Sequence, residues 1–326
     1  MNSSQLTGYQ AAITDAAFYL QPQAGFLKVE GADRVAFLQR QTTNDLKLLA
    51  SMGCLTTILT SPNARILDVF RLIDEGDTLG IITLPGHAES TFRYLKSRIF
   101  FMDKVSVTNL SSEFVHIDLE GPGAARWLPE IGIEQAPKLD EIVDGNLEGS
   151  PLRVLGQPGL SGAGYRLLIS SLARTSLESA LRAFGVAPLD ADTYDVLRVE
   201  AGLPSARTEL TEDYTPLEVG LGWAISDKKG CYTGQEVIAR QITYDKVTQH
   251  LVGLRLSAAA QAGERVWAYG KPVGKVTSSA RSPRFGEIAL AVVKKPVNLP
   301  DTEVFVGSAQ DLSSPATVSA LPIYAQ

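Results

Sequence analysis

One short pattern occurs twice in this chain. Val29-Glu30-Gly31 is followed by Phe37-Leu38, and Leu119-Glu120-Gly121 is followed at the same offset by Trp127-Leu128. Each copy reads as a strand, a glycine turn and a helix. Copies so far apart predict duplicated subdomains, because a solenoid would repeat at a short period. Around the first copy, residues 55–60 and 66–73 form apolar runs split by Ser61-Pro62-Asn63, a turn cluster of the kind that joins strands. Around the second, 114–119 and 165–169 read as strands and 172–184 as an amphipathic helix. Strands and helices mixed without strict alternation predict an α+β core.

After His250 the pattern changes to short alternating runs at 251–256, 266–269, 273–277, 288–293 and 303–306. Gly263, Gly270, Pro272, Gly286, Pro296 and Pro300 punctuate them. Short strands at this spacing predict a small β-barrel or sandwich. The expected organisation is therefore a first α+β subdomain over 1–112, a second over 113–245 with the chain free to cross between the two, and a C-terminal β-barrel over 246–326. A length of 326 residues suits two or three domains.

Composition narrows the function classes. A net charge of −6 argues against a whole-protein affinity for nucleic acid. Two cysteines, Cys54 and Cys231, do not make a secreted disulfide framework, so a reducing cytoplasm is expected. Residues 1–20 lack a basic segment followed by an apolar one, and no apolar run approaches membrane-spanning length, so no membrane association is expected. His87, His116 and His250 are scattered singly, so no intrinsic, tightly bound metal is expected.

Chemistry concentrates in Lys229-Gly230-Cys231-Tyr232-Thr233-Gly234-Gln235-Glu236. Thr233 and Glu236 have the spacing of a capping box, and Tyr232 and Val237 that of a hydrophobic staple, which predicts a helix beginning near Gly234. Its N-terminal field, with Lys228 and Lys229 beside it, favours thiolate over thiol at Cys231. The plain alternative is a small buried hydrophobe in a helix-entry turn. A second capped helix is expected over 192–202, with Asp192 as cap and Gly202 and Pro204 as stop. There Arg198 is expected to form a surface pair with Asp195, three residues back. Glu200, just before the stop, has no such ready explanation.

With the octapeptide, Glu200-Ala201-Gly202-Leu203-Pro204, Pro216-Leu217-Glu218-Val219-Gly220-Leu221 and Gly274-Lys275-Val276-Thr277-Ser278, the chain resembles the YgfZ/GcvT folate-binding superfamily over nearly its whole length. The Lys-Gly-Cys-Tyr-x-Gly-Gln-Glu signature is similar to that of the YgfZ type. The resemblance implies a cloverleaf-like aminomethyltransferase folate-binding fold with two α+β subdomains and a C-terminal β-barrel. It implies a tetrahydrofolate pocket and a role in iron-sulfur cluster assembly or repair, and through client enzymes in tRNA modification. The implied partners are iron-sulfur assembly proteins or client iron-sulfur enzymes.

The sister branch, the glycine-cleavage aminomethyltransferases, is the enzymatic alternative. That branch carries its working carboxylate as the second of two adjacent aspartates. Here the matching stretch is Ile66-Leu67-Asp68-Val69, so the first is Asp68 and the second is Val69, unless the register slips by one. Where those enzymes grip the pterin with a glutamate, this chain has Arg166, which offers donors and no acceptor. The expected functional thiol is therefore Cys231, with Lys229, Gly230, Tyr232, Gly234, Gln235 and Glu236 shaping its loop. Glu200, then Asp68 and Arg166, are the expected folate contacts. A third reading pairs Cys231 with His250 as a Cys-His hydrolase, against which His250 reads as an exposed polar residue leading into a barrel strand.

Overall fold

A computed structural model describes residues 1–308 and 311–325 of the chain. It divides into two compact units, one formed by residues 1–63, 67–193 and 224–235, the other by 64–66, 194–223 and 236–326.

The first unit holds two sheets. In the first sheet the strand order is Cys54–Thr60, Ile66–Asp74, Thr78–Thr83, Gly25–Glu30, Ser106–Asn109. One face packs Leu27, Val29, Phe70, Leu72 and Ile81 against Phe37 and Leu38 of the helix Arg34–Gln41 and Leu95 of the helix Ala88–Ser97. In the second sheet the order is Ala187–Pro188, Ala17–Leu20, Phe114–Gly121, Ala163–Ser170, Ser150–Pro158, Ile142–Leu147. Its outer face buries Ile117, Leu119, Leu167 and Ile169 with Leu177 and Leu181 of the helix Arg174–Ala183. The other faces meet through Phe26, Cys54, Ile73 and Ile82 of one sheet and Leu155 and Leu168 of the other. The chain starts in the second sheet with Ser3–Thr14 and Ala17–Leu20, crosses to build the first, and returns at Phe114.

The repeat seen in the sequence is the turn that ends a strand in each sheet. Gly31 and Gly121 take φ of 106° and 124°. A Cβ would collide with the Lys104 carbonyl oxygen at Gly31 and with that of Asp15 at Gly121, so only glycine fits both. Beyond the turn the two copies diverge. The first runs into an α-helix, whereas the second forms two 3₁₀ turns, Ala124–Trp127 and Pro129–Ile131, instead of the expected helix. Pro129 has no N–H to continue the ladder, and Gly132, at φ 86°, ends it.

The second unit contains a closed, antiparallel six-stranded barrel in the order Gln249–Leu256, Gly286–Lys294, Lys271–Ser282, Arg265–Ala268, Glu303–Ser308, Asp311–Ser319. Small and β-branched residues fill it, among them Val252, Val266, Val276, Ala289, Ala291, Val304 and Val318, packed with the fully buried Leu254. Five of these strands match the runs read from the sequence. The sixth, Asp311–Ser319, lies outside those runs, because Pro315 and its small polar neighbours resemble a loop more than a strand.

Two local expectations are corrected. The helix Ala191–Ala201 is capped by Asp190, whose carboxylate accepts from the Thr193 N–H at 2.8 Å, and not by Asp192. Arg198 is not a surface residue. It is 7% exposed, and besides Asp195 at 2.8 Å it donates to the Leu203 carbonyl at 2.8 Å and the Ser278 hydroxyl at 3.0 Å. The sequence offered the nearest carboxylate, and the fold added the Leu203 carbonyl beyond the helix stop and the buried Ser278 hydroxyl, distant along the chain.

Candidate functional site

The octapeptide up to Gln235 lies in the first unit, in a segment fastened at several points to residues 40–44. Ser226 donates its N–H to the Thr43 carbonyl at 3.0 Å, and the Thr43 hydroxyl donates to the Ala224 carbonyl at 2.7 Å. The Lys229 ammonium is buried and donates to the carbonyls of Thr42 at 2.6 Å and Asn44 at 2.7 Å. It also lies 5.1 Å from the centre of the Tyr232 ring. Burial lowers the Lys229 pKa to about 8. Thr233 donates its N–H to the Arg40 carbonyl at 3.4 Å, and its own carbonyl accepts from the Thr60 hydroxyl at 2.6 Å.

Between the buried Lys229 and Tyr232, Gly230 and Cys231 are exposed. The thiol is therefore held out by two anchored neighbours and is not the packed hydrophobe of the plain alternative. The helix Gln235–Thr243 begins one residue later than expected. Gly234 has a φ of 84°, outside the helical region, which moves Thr233 out of the cap position and breaks the register of the expected box. The Thr233 backbone, bonded to the Arg40 carbonyl and the Thr60 hydroxyl, holds this turn instead.

The expected folate contacts are all engaged within the protein. Asp68, on the strand Ile66–Asp74, is fully buried and accepts from the Leu84 N–H at 3.0 Å and the Thr91 hydroxyl at 2.5 Å. Burial raises its pKa to about 6. Glu200, in the second unit, is fully buried and accepts from the Ser282 hydroxyl at 2.6 Å and Arg284 at 2.5 Å. Arg166, on Ala163–Ser170, makes a two-pronged pair with the buried Asp118 at 2.8 and 3.0 Å. Each of the three is paired within its own unit, so a folate reaching any one of them would have to exchange with those partners. His250, half-buried on the first barrel strand, has its pKa lowered by burial and by Lys295. Among the described residues, no group of three His, Cys, Asp or Glu could hold a metal ion.

Sequence reasoning missed the polar row His116, Asp118 and Glu120. The residues alternate with Ile117 and Leu119 on Phe114–Gly121, and all three are buried. Gln21 joins Asp118 at 2.5 Å, while Glu120 accepts from Gln157 at 3.1 Å and the Leu160 N–H at 2.9 Å. Burial, then the nearby Asp118, raises the Glu120 pKa well above its ordinary value. Burial, then Arg166, lowers the His116 pKa to about 3. The period-two alternation of this strand was the available signal.

Comparison with known proteins places this architecture. The chain belongs to the glycine-cleavage T-protein family of folate-binding proteins: residues 9–229 match the GCVT N-terminal domain and 249–325 the glycine cleavage T-protein C-terminal barrel domain. It is 31% identical to a chloroplastic protein of Arabidopsis thaliana named as a candidate transferase, over 93% of this chain and 70% of the relative. It is 28% identical to an aminomethyltransferase of Listeria welshimeri, over 87% and 80% of the two chains. The crystal structure of the glycine cleavage system aminomethyltransferase T from Bartonella henselae has the same fold, with a TM-score of 0.87, 23% identity and coverage of 98% and 89%. No helix among the described residues is long and apolar enough to cross a membrane.

Proposed function

We propose that the chain is a tetrahydrofolate-binding protein of the YgfZ type that aids iron-sulfur cluster assembly or repair, with Cys231 as its functional thiol. The observation that carries this reading is the exposure of Cys231 between two buried anchors, Lys229 and Tyr232. A cysteine sulfur is a soft ligand for iron and a nucleophile as thiolate, which suits it to iron or sulfur delivered by a partner. Asp68 supports the same reading from the other side, since its carboxyl is buried and engaged by Thr91 and Leu84, and Val69 beside it has no acid function. In this account Lys229 holds the loop, and tetrahydrofolate binding is inherited from the family.

The second reading, a folate-dependent aminomethyltransferase, is favoured by the names of the Listeria relatives. The two separate cleanly in an aminomethyl-transfer assay with tetrahydrofolate. Turnover that disappears in Asp68→Asn and persists in Cys231→Ala would establish the transferase and exclude the thiol account. Calorimetric titration with tetrahydrofolate tests the shared premise: wild type and Cys231→Ala should bind alike, and no binding by either removes the folate half of the proposal.

A further inference from the structure

The turn after the helix Ala88–Ser97 exposes three large apolar side chains in succession: Phe100 at 66%, Phe101 at 99% and Met102 at 74%. Scattered surface hydrophobes are ordinary, but a contiguous group on one tip marks an interaction site. The tip is also braced. Asp103 donates its N–H to the Phe100 carbonyl at 2.9 Å, and its carboxylate accepts the Phe100 N–H at 3.0 Å and both contacts from Arg40 at 2.9 and 3.0 Å. Just beyond, the Lys104 N–H donates to Asp33 at 2.9 Å and the Lys104 carbonyl accepts from the Asp33 N–H at 3.3 Å. The turn is thus closed on itself and tied to the neighbouring helix entry, so its apolar side chains are held outward.

Exposed Lys96, Arg98 and Lys104 flank the tip, and none has a carboxylate in ion-pair range among the described residues. Lys96 and Arg98 lie over the rings of Phe92 and Tyr94, at 5.5 and 4.9 Å from the centroids. The one acid inside the turn, Asp103, is neutralised by Arg40. Even with Asp33 beside Lys104 offsetting one charge, Lys96, Arg98 and Lys104 leave the local charge positive although the whole chain carries −6.

We propose that residues 96–104 form an interfacial anchor for an anionic lipid surface. Aromatic and apolar side chains beside lysine and arginine are the composition that seats a segment at the headgroup boundary, and each basic residue adds attraction to an anionic surface. A second copy of the chain is a poorer occupant, because two such tips would bring like charges together. A protein partner is also poorer, since three side chains fall far short of the roughly 1,000 Å² of a specific interface. Lipid needs no complementary surface of that size.

Flotation of the full chain with vesicles tests this, using phosphatidylcholine alone and an equal mixture with phosphatidylglycerol. The wild type should float with the mixed vesicles, bind phosphatidylcholine at least about tenfold more weakly, and lose binding as salt rises. The double substitution Phe101→Ser with Met102→Ser should weaken binding about tenfold or more, and Lys96→Gln with Lys104→Gln by a similar factor. These side chains are exposed, and unchanged circular dichroism would verify the fold of each variant. Absence of wild-type flotation overturns the proposal in favour of a protein partner. Equal binding to both vesicle types, or binding undiminished in the Phe101 and Met102 variant, overturns it as well.

Discussion

The carboxylates and the thiol of this chain stand in opposite settings. Asp68 and Glu200 are fully buried with partners on their oxygens, while Cys231 is exposed and its neighbours are the buried groups. In the first setting a polar side chain is consumed by the fold. In the second the neighbours are buried and held, and the side chain between them is left exposed. Burial and pairing, which residue type does not report, are what separate the two settings.

The largest expected effect lies on the buried side. Glu200→Ala removes the buried carboxylate that accepts from Ser282 and Arg284 and should cost about 3 kcal/mol, read as a lower denaturant midpoint. A cost under about 1 kcal/mol would show that Glu200 is not structural and would blur the contrast. Next comes His116, whose pKa of about 3 lies below the ordinary 6.5. The unfolded chain takes up a proton below 6.5 that the folded chain refuses, so stability is lost as pH falls from about 6.5 toward 3. By pH 4 the loss is roughly 3 kcal/mol, and His116→Leu should remove it from the pH dependence of unfolding.

A smaller effect is expected at the anchor. Lys229→Met leaves the Thr42 and Asn44 carbonyls without their donor and should cost about 2 kcal/mol, with faster amide exchange confined to residues 226–233. Faster exchange across the whole first unit would mean that Lys229 supports the core and not the loop. The smallest is Cys231→Ser, which should change stability by less than about 0.5 kcal/mol because the side chain is exposed.

Much of the fold was legible because it arises from local pattern. Alternation marked five barrel strands, and the Glu-Gly pairs at 30–31 and 120–121 marked the strand ends in both sheets. The missed barrel strand and the mistaken second helix both involve proline, Pro315 and Pro129, whose local preference tertiary context overrode in one case and obeyed in the other. At the site, the octapeptide identified the loop but not its anchors. Lys229 meets carbonyls at Thr42 and Asn44, and Arg166 meets Asp118, across separations that no local spacing encodes. Asp68 looked available because sequence reports a carboxylate and not its burial.

The most direct test of the thiol account is the cluster content of tRNA-modifying iron-sulfur enzymes in cells whose own copy of this protein is replaced by Cys231→Ser. The account predicts that cluster occupancy falls to the level of a deletion while the variant protein remains folded and abundant. Full occupancy with the serine variant would contradict it.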